Sequence, residues 1–258
     1  MTEPILSLDD VTMRFGGVSA LESVAFHIER GEILGLIGPN GAGKTTCFNV
    51  ITGVYQATSG EVTFKGRSLK GHKRYQITKG GIARTFQNIR LFPDMSAIDN
   101  VLVGADAHHR SGAISAMLHL GVHRREEREG REKALELLTF VGIADRSEDA
   151  ARNLPYGYQR RLEIARALAT DPTLLCLDEP AAGFNPAEKL QLMELIRTIR
   201  SRGYTVLLIE HDMSLVMGVT DRIVVLDFGK KIAEGSPEEI RTNPEVIAAY
   251  LGVPDDAA

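Results

Sequence analysis

Cysteine is scarce: the 258-residue chain has two, Cys47 and Cys176, with neither metal-ligand spacing nor a disulfide framework between them. Both read as small core residues. Long apolar runs are also missing. Nothing approaches the roughly 18 consecutive apolar residues that cross a bilayer, and the longest candidates, Glu32 to Ile37 and Thr205 to Ile209, read as buried strands. The start, MTEPILSLDD, is acidic and lacks the positive and apolar regions of a secretory signal. The expectation is a chain that stays in the cytoplasm. Positive charge is not in excess either, with 30 Lys and Arg against 34 Asp and Glu and a net charge of -4. Such a balance gives no overall attraction to a phosphate backbone, so no nucleic-acid partner is expected. Internal repeats and low-complexity segments are absent.

What remains is an ordinary globular composition, 43% hydrophobic and 25% charged, in a length that suits one domain carrying an insertion. Strand-like segments run from Ile5 to Phe15, Val24 to Ile28 and Glu32 to Ile37, the last almost wholly apolar, as in a strand covered on both faces. A helix is expected over Lys44 to Thr52 and a strand over Gly60 to Phe64. Residues 88–153 read as a helical insertion. Then come a helix from Tyr158 to Thr170, a strand from Leu174 to Leu177, a helix from Pro186 to Arg202 and a strand from Thr205 to Glu210. Strands alternating with helices imply βαβ units and a mostly parallel sheet. The hairpin-like VVLDFGKKIAEG and two short helices, Pro237 to Arg241 and Pro244 to Tyr250, close the chain. The expected division is a core of 1–87 and 154–235, a helical subdomain of 88–153 and a tail of 236–258.

Gly38, Pro39, Asn40, Gly41, Ala42, Gly43, Lys44 and Thr45 match GxxxxGK[ST] between an apolar strand and a helix. Glycines let the backbone wrap a phosphate so that successive N–H groups point at its oxygens, and the helix start adds its positive end. Lys44 brings a full charge towards the β and γ phosphates, and the Thr45 hydroxyl suits magnesium. The plainer alternative is a glycine-rich turn followed by a chance Lys-Thr. Further on, Leu174 to Leu177 leads into Asp178 and Glu179, two carboxylates at the C-terminal end of a strand, where open α/β sheets bind ligands. Asp178 is suited to the magnesium shell and Glu179 to orienting or deprotonating water. On their own, the two acids read equally well as a solvated strand end.

GPNGAGKTT at 38–46, RTFQN at 84–88, LPYGYQRRLEIARALA at 154–169, LLCLDEP at 174–180 and IEHD at 209–212 together resemble the nucleotide-binding subunits of ABC transporters, in that family's order and spacing. The resemblance implies a P-loop NTPase (RecA-like) α/β core with an N-terminal antiparallel β part and an inserted α-helical subdomain. It implies ATP and Mg2+ as cofactors. By the same resemblance Phe15 stacks on adenine; Gly38, Asn40, Gly41, Gly43, Lys44, Thr45 and Thr46 hold phosphates; Thr45, Gln87 and Asp178 serve the metal; Glu179, His211 and Gln87 serve hydrolysis. Each of Phe15, Gln87 and His211 also has a bland reading, as a core aromatic, a surface polar residue and a satisfied histidine.

The family's signature, usually LSGGQ, stands here as Leu154, Pro155, Tyr156, Gly157 and Tyr158. Leu154 and Gly157 keep its frame, while the serine hydroxyl is lost and Pro155 has no N–H to donate. Support for the ATP on the opposite subunit is expected to be weaker than with a full signature. Asn185 stands where many members carry an aspartate, and is read as a polar residue able to cross a dimer interface.

RTFQNIRLFPDMSAIDNVLVGA, YGYQRRLEIARALA, PAAGFNP and the PEVIAAYLG tail are similar to the branched-chain amino acid subfamily, to its ATPase with the longer helical insertion. That similarity implies a second ABC ATPase subunit as partner, two transmembrane permease subunits, an extracytoplasmic substrate-binding protein, and a peripheral place on the inner face of the membrane. Urea and short-chain amide importers have similar subunits. Other readings are a soluble ABC ATPase, which usually fuses two halves or carries coiled-coil insertions; a module using ATP only as a clamp, against which Glu179 and His211 speak; and a small-molecule kinase, which needs an acceptor pocket. Arg124, Arg125, Arg128 and Arg131, interleaved with Glu126, Glu127 and Glu129, read as a solvated helix face instead of a lipid-binding patch. His108 and His109 beside Arg110 lack metal-ligand spacing.

Overall fold

The computed structural model describes residues 4–105 and 120–251. His108, His109 and Arg110 lie outside the described residues, as do the side chains of Arg124, Arg125, Glu126 and Glu127. Two compact units form, one from the chain up to Ile77 and again from Leu174 onward, the other from Thr78 to Thr173.

In the first unit, β1 (Leu6–Phe15), β2 (Val18–Ile28), β4 (Ser59–Phe64) and β5 (Arg67–Ser68) make an antiparallel sheet in the order β2-β1-β4-β5. Leu6 sits opposite both Ile28 and Phe64. A second set comprises β3 (Ile33–Ile37), β7 (Leu174–Asp178), β8 (Thr205–Ile209), β9 (Arg222–Asp227) and β10 (Lys230–Gly235). These lie in the order β10-β9-β3-β8-β7, parallel except for β10. Every residue of β3, β7 and β8 is buried, which is why these segments, apart from Asp178 at the end of β7 and Thr205 at the start of β8, are apolar instead of alternating.

Helices α1 (Lys44–Ile51), α6 (Pro186–Ser201), α7 (Met213–Val219), α8 (Pro237–Thr242) and α9 (Pro244–Leu251) belong to this unit. Their starts are chemically marked. Asn185 with Glu188, and Ser236 with Glu239, close capping boxes ahead of a proline in the first turn. Asp212 caps α7 by accepting the Leu215 N–H at 3.1 Å. One core layer joins Ile37 at the end of β3 to Val216, Ile223, Val225, Ile240 and Val246. The tail helices α8 and α9 are thereby anchored beneath the strand that leads into the glycine loop.

The chain enters the second unit within α2 (Arg74–Gly80). There follow a short strand β6 (Ile82–Arg84) and helices α3 (Ala97–Ala105), α4 (Leu120–Phe140) and α5 (Tyr156–Ala169). Asn100, fully buried on α3, exchanges hydrogen bonds with the backbone of Phe92 at 2.9 and 3.1 Å and so fixes the turn that leads into the helix. On α4, Arg128 pairs with Glu132, and Arg131 reaches Glu148, all at the surface.

Several elements differ from the sequence reading. The second unit is wider than residues 88–153, because β6 and α5 belong with the helices. Strand β2 begins at Val18, before Val24, and α5 begins at Tyr156, before Tyr158. Elements β5, β6, α2 and α7 were not foreseen; they are too short for a period to emerge.

Candidate functional site

Strand β3 delivers the chain to Gly38, whose φ is 149° and whose position admits no side chain: a Cβ there would lie 2.0 Å from the Leu226 carbonyl oxygen. Gly43, with φ 98°, is closed in the same way by the Ala20 carbonyl at 2.6 Å. The loop containing Asn40 and Gly41 is therefore wedged between β2 and the β9–β10 hairpin, and the Gly229 N–H ties it to the Ala42 carbonyl at 3.1 Å. Helix α1 starts at Lys44 with Gly43 as a cap that has no side chain to offer. The Cys47 N–H donates to the Gly43 carbonyl at 2.9 Å. By helix geometry the N–H groups of Lys44, Thr45 and Thr46 point out of the end, as an anion requires.

Lys44 folds back over this loop, its Nζ donating to the Gly38 carbonyl at 2.7 Å and to Pro39 at 2.8 Å. Burial lowers its pKa, and the negative charge of Glu179 works against that shift. Towards the tail, the Gly38 N–H faces the Tyr250 hydroxyl oxygen; burial of that phenol raises its pKa more than the N–H lowers it.

Strand pairing decides what else arrives at this edge. β8 lies between β3 and β7, with Ile209 opposite both Leu36 and Asp178. The three parallel strands thus end side by side and deliver the glycine loop, Glu210 with His211, and Asp178 with Glu179. Asp178 is buried at the end of β7. Glu179 turns sharply, with φ 45°, while its N–H donates to the Ile209 carbonyl at 2.9 Å. A non-glycine residue in that region is strained by about 1–3 kcal/mol, the kind of cost found where a side chain must be aimed. Its carboxylate is 21% exposed and lies 3.8 Å from Nδ1 of His211, whose ring is 62% exposed.

Glu210, missed in the sequence, is the fully buried link between two of these loops. Its carboxylate accepts N–H groups from Ala181 at 2.7 Å, His211 at 3.1 Å and Asp212 at 3.4 Å. Burial raises its pKa against the pull of those donors. The available signal was an acid directly after an apolar strand and before the histidine. Asp212 in turn pairs with Lys189, which holds its carboxyl below the usual value.

Phe15 ends β1 at the surface and meets Tyr55 edge-on, with ring centroids 5.1 Å apart. Tyr55 too was missed, since only folding brings it to Phe15. Asn185 was expected to reach outward, yet its side chain accepts the Glu188 N–H at 3.0 Å as a helix cap.

Gln87, Leu154 and Gly157 belong to the second unit. Gln87 lies in the irregular segment after β6, where the Phe86 ring is flanked by the Arg90 guanidinium at 4.6 Å and that of Arg84 at 5.3 Å. Leu154 is buried and its carbonyl accepts from the Gln159 side chain at 2.9 Å. Pro155 precedes α5 with no side-chain cap, and Gly157 stands in the first turn.

Chemically, the first unit offers a cradle of N–H groups and one ammonium for a polyphosphate, beside carboxylates able to hold a cation and to take a proton. Among the described residues no group of three or more His, Cys, Asp or Glu forms a metal cage. Thr45 and Asp178 supply hard oxygen donors, the set that suits Mg2+ when substrate phosphates and water complete the shell.

Residues 21–182 match the family described as ABC transporter, and residues 230–256 that described as branched-chain amino acid ATP-binding cassette transporter. The high-affinity branched-chain amino acid transport ATP-binding protein LivG of Salmonella typhimurium is 48% identical over 253 residues, 98% of this chain and 99% of the relative. Among solved structures, the ADP conformation of MJ1267, an ATP-binding cassette of an ABC transporter, superposes with a TM-score of 0.85 at 31% identity, over 98% of this chain and 100% of the other. The dimeric post-hydrolysis state of the cassette MJ0796 bound to ADP and Pi gives 0.76 at 27% identity, over 90% and 98%.

Proposed function

Since the chain belongs to the ABC transporter family of ATP-binding subunits, we propose that it hydrolyses ATP to drive import of branched-chain amino acids through separate permease subunits. The observation that carries this reading is the shared edge of β3, β8 and β7, where Lys44, His211 and the Asp178–Glu179 pair converge. ATP sits with its phosphates in the loop from Gly38 to Thr46 and its adenine against Phe15. Thr45 and Asp178 would hold Mg2+, and Gln87, carried over from the family resemblance, would sense the metal or the attacking water. Glu179 takes the proton of the attacking water, and His211 contacts the γ-phosphate.

A second ATPase subunit completes the site by bringing its own signature segment to the γ-phosphate, as Leu154 and Gly157 do for the partner's ATP. Phosphate contacts made only when the two subunits close shift the pair towards closure, and hydrolysis removes them. A rigid-body movement then acts on the two permeases, which receive cargo from an extracytoplasmic binding protein. Attachment to the inner membrane face runs through the permeases in this reading; among the described residues no helix is long and apolar enough to cross a membrane. The cargo follows the curated relatives and the C-terminal match.

Uptake measurements test the reading. Cells lacking this chain should lose high-affinity uptake of leucine, isoleucine and valine, and regain it with the wild type but not with Lys44→Ala. That variant removes a charge-assisted contact to phosphate, which typically weakens binding roughly tenfold or more. Undiminished uptake without the chain contradicts the cargo.

A further inference from the structure

Inside the second unit, one turn of α5 grips the segment that contains Gln87. Arg160 is 0% exposed and Glu163 1%. Spaced three residues apart, they share a helix face and pair at 2.8 Å. The two terminal nitrogens of Arg160 donate to successive carbonyls, Phe86 at 2.6 Å and Gln87 at 2.7 Å. Glu163 accepts the Phe86 N–H at 3.2 Å and the Arg90 N–H at 3.4 Å. The Tyr156 hydroxyl, at the start of the same helix, lies 3.3 Å from Arg160.

A buried ion pair is a poor way to gain stability, because desolvation of both charges offsets their attraction, and a well-packed apolar pair often serves as well or better. What the pair supplies is geometry. The planar guanidinium fork reaches two consecutive carbonyls at once, which a lysine ammonium on a flexible stem does not reproduce. Residues 85–92 have no helix or strand of their own, so these side chains stand in for the missing backbone ladder. Burial raises the pKa of Glu163 while Arg160 and the two N–H donors lower it.

We propose that Arg160 and Glu163 are positioning residues that bind the Gln87 segment to the helix beginning at Tyr156, so that Gln87 and the Leu154–Tyr158 signature move as one body. This rests on the ABC ATPase reading above, in which Gln87 serves the chain's own ATP and the signature serves the ATP of the partner. A displacement at either site is then transmitted to the other within a single unit.

The test uses the assembled transporter with two variants, Arg160→Lys and the double apolar replacement Arg160→Met with Glu163→Met, which leaves neither member of the pair behind as a lone buried charge. Mg-ATP affinity, KM, kcat, stimulation by cargo-loaded binding protein, and Tm are measured for each. Affinity and KM should stay within about twofold of wild type, while kcat and stimulation fall by about tenfold to a hundredfold, the scale on which misplacing a site by an ångström acts. A purely structural pair would change Tm and leave the kcat of the folded protein untouched. The proposal is overturned if either folded variant keeps kcat and stimulation within about twofold of wild type. Should the double variant not fold, Arg160→Lys decides alone. If the wild type itself hydrolyses ATP without needing a second subunit, the parent reading has failed; if it behaves as expected and the variants match it, only the coupling has.

Discussion

The Nδ1 atom of His211 stands 3.8 Å from the carboxylate of Glu179, although 32 positions (211 − 179) separate them in the chain. Pairing of β7 with β8 creates this neighbourhood, since the two residues follow directly from strands whose ends are in register at Asp178 and Ile209. Both side chains are expected to act on one step, the attack of water. Glu179→Gln and His211→Ala should each lower kcat for phosphate release by about a hundredfold, the usual effect of one lost transition-state contact, with KM changed only a few-fold. Groups acting as a unit are not additive, so the double variant should be little worse than the worse single one. Steady-state phosphate release checks this; a double variant whose losses multiply contradicts a shared step.

Glu210 gives a pH dependence of definite sign. Its pKa is raised above 4.5 by burial, so the native state keeps this proton to a higher pH than the unfolded chain does. Stability from this group is present at low pH and declines as pH rises from about 4.5 through the native value. The unfolding free energy of wild type minus that of Glu210→Gln, from urea titrations between about pH 5 and about pH 8, should therefore move against the wild type as pH rises. Movement in the other direction means that the Ala181, His211 and Asp212 donors outweigh desolvation.

Cys47, on the buried face of α1, has its thiol pushed up to about 12 by burial, and Cys176 is buried in β7. The thiolate is the reactive species, so the native protein should give no fast reaction with a disulfide reagent near neutral pH and two equivalents after unfolding. Rapid labelling of Cys47 in the native protein contradicts the packing of α1.

Pro155 leaves α5 without a side-chain cap. Pro155→Ser restores the capping hydroxyl, worth about 1 kcal/mol, but loses a similar amount of unfolded-state restriction, about 0.4–1 kcal/mol. Tm should therefore scarcely move, while turnover of the paired subunits should rise, on the proposal that this segment serves the ATP of the opposite subunit. Unchanged or lower turnover contradicts the expectation of a weakened signature.

Much of this was legible where local chemistry and position coincide. The glycine loop needs its small residues because Gly38 and Gly43 sit against carbonyl oxygens, and the mainly apolar runs became β3, β7 and β8 because both their faces are covered. What sequence reading lost depends on contacts distant in the chain. Glu210 looks like a strand-end acid until its carboxylate meets the Ala181 N–H. Tyr55 gains meaning only beside Phe15. Arg160 and Glu163, at helical i, i+3 spacing, resemble a surface pair, and only the fold shows both fully buried. Asn185 was read for its charge change, whereas its local use is the capping hydrogen bond to Glu188.

The central claim is that one chain holds ATP but two are needed to spend it on work. Phosphate release per chain, measured across a dilution series of the wild type alone and titrated with its partner ATPase, tests this most directly. The account predicts a rate per chain that falls on dilution and saturates as the partner is added. A rate per chain that stays constant at every concentration, with or without the partner, contradicts it.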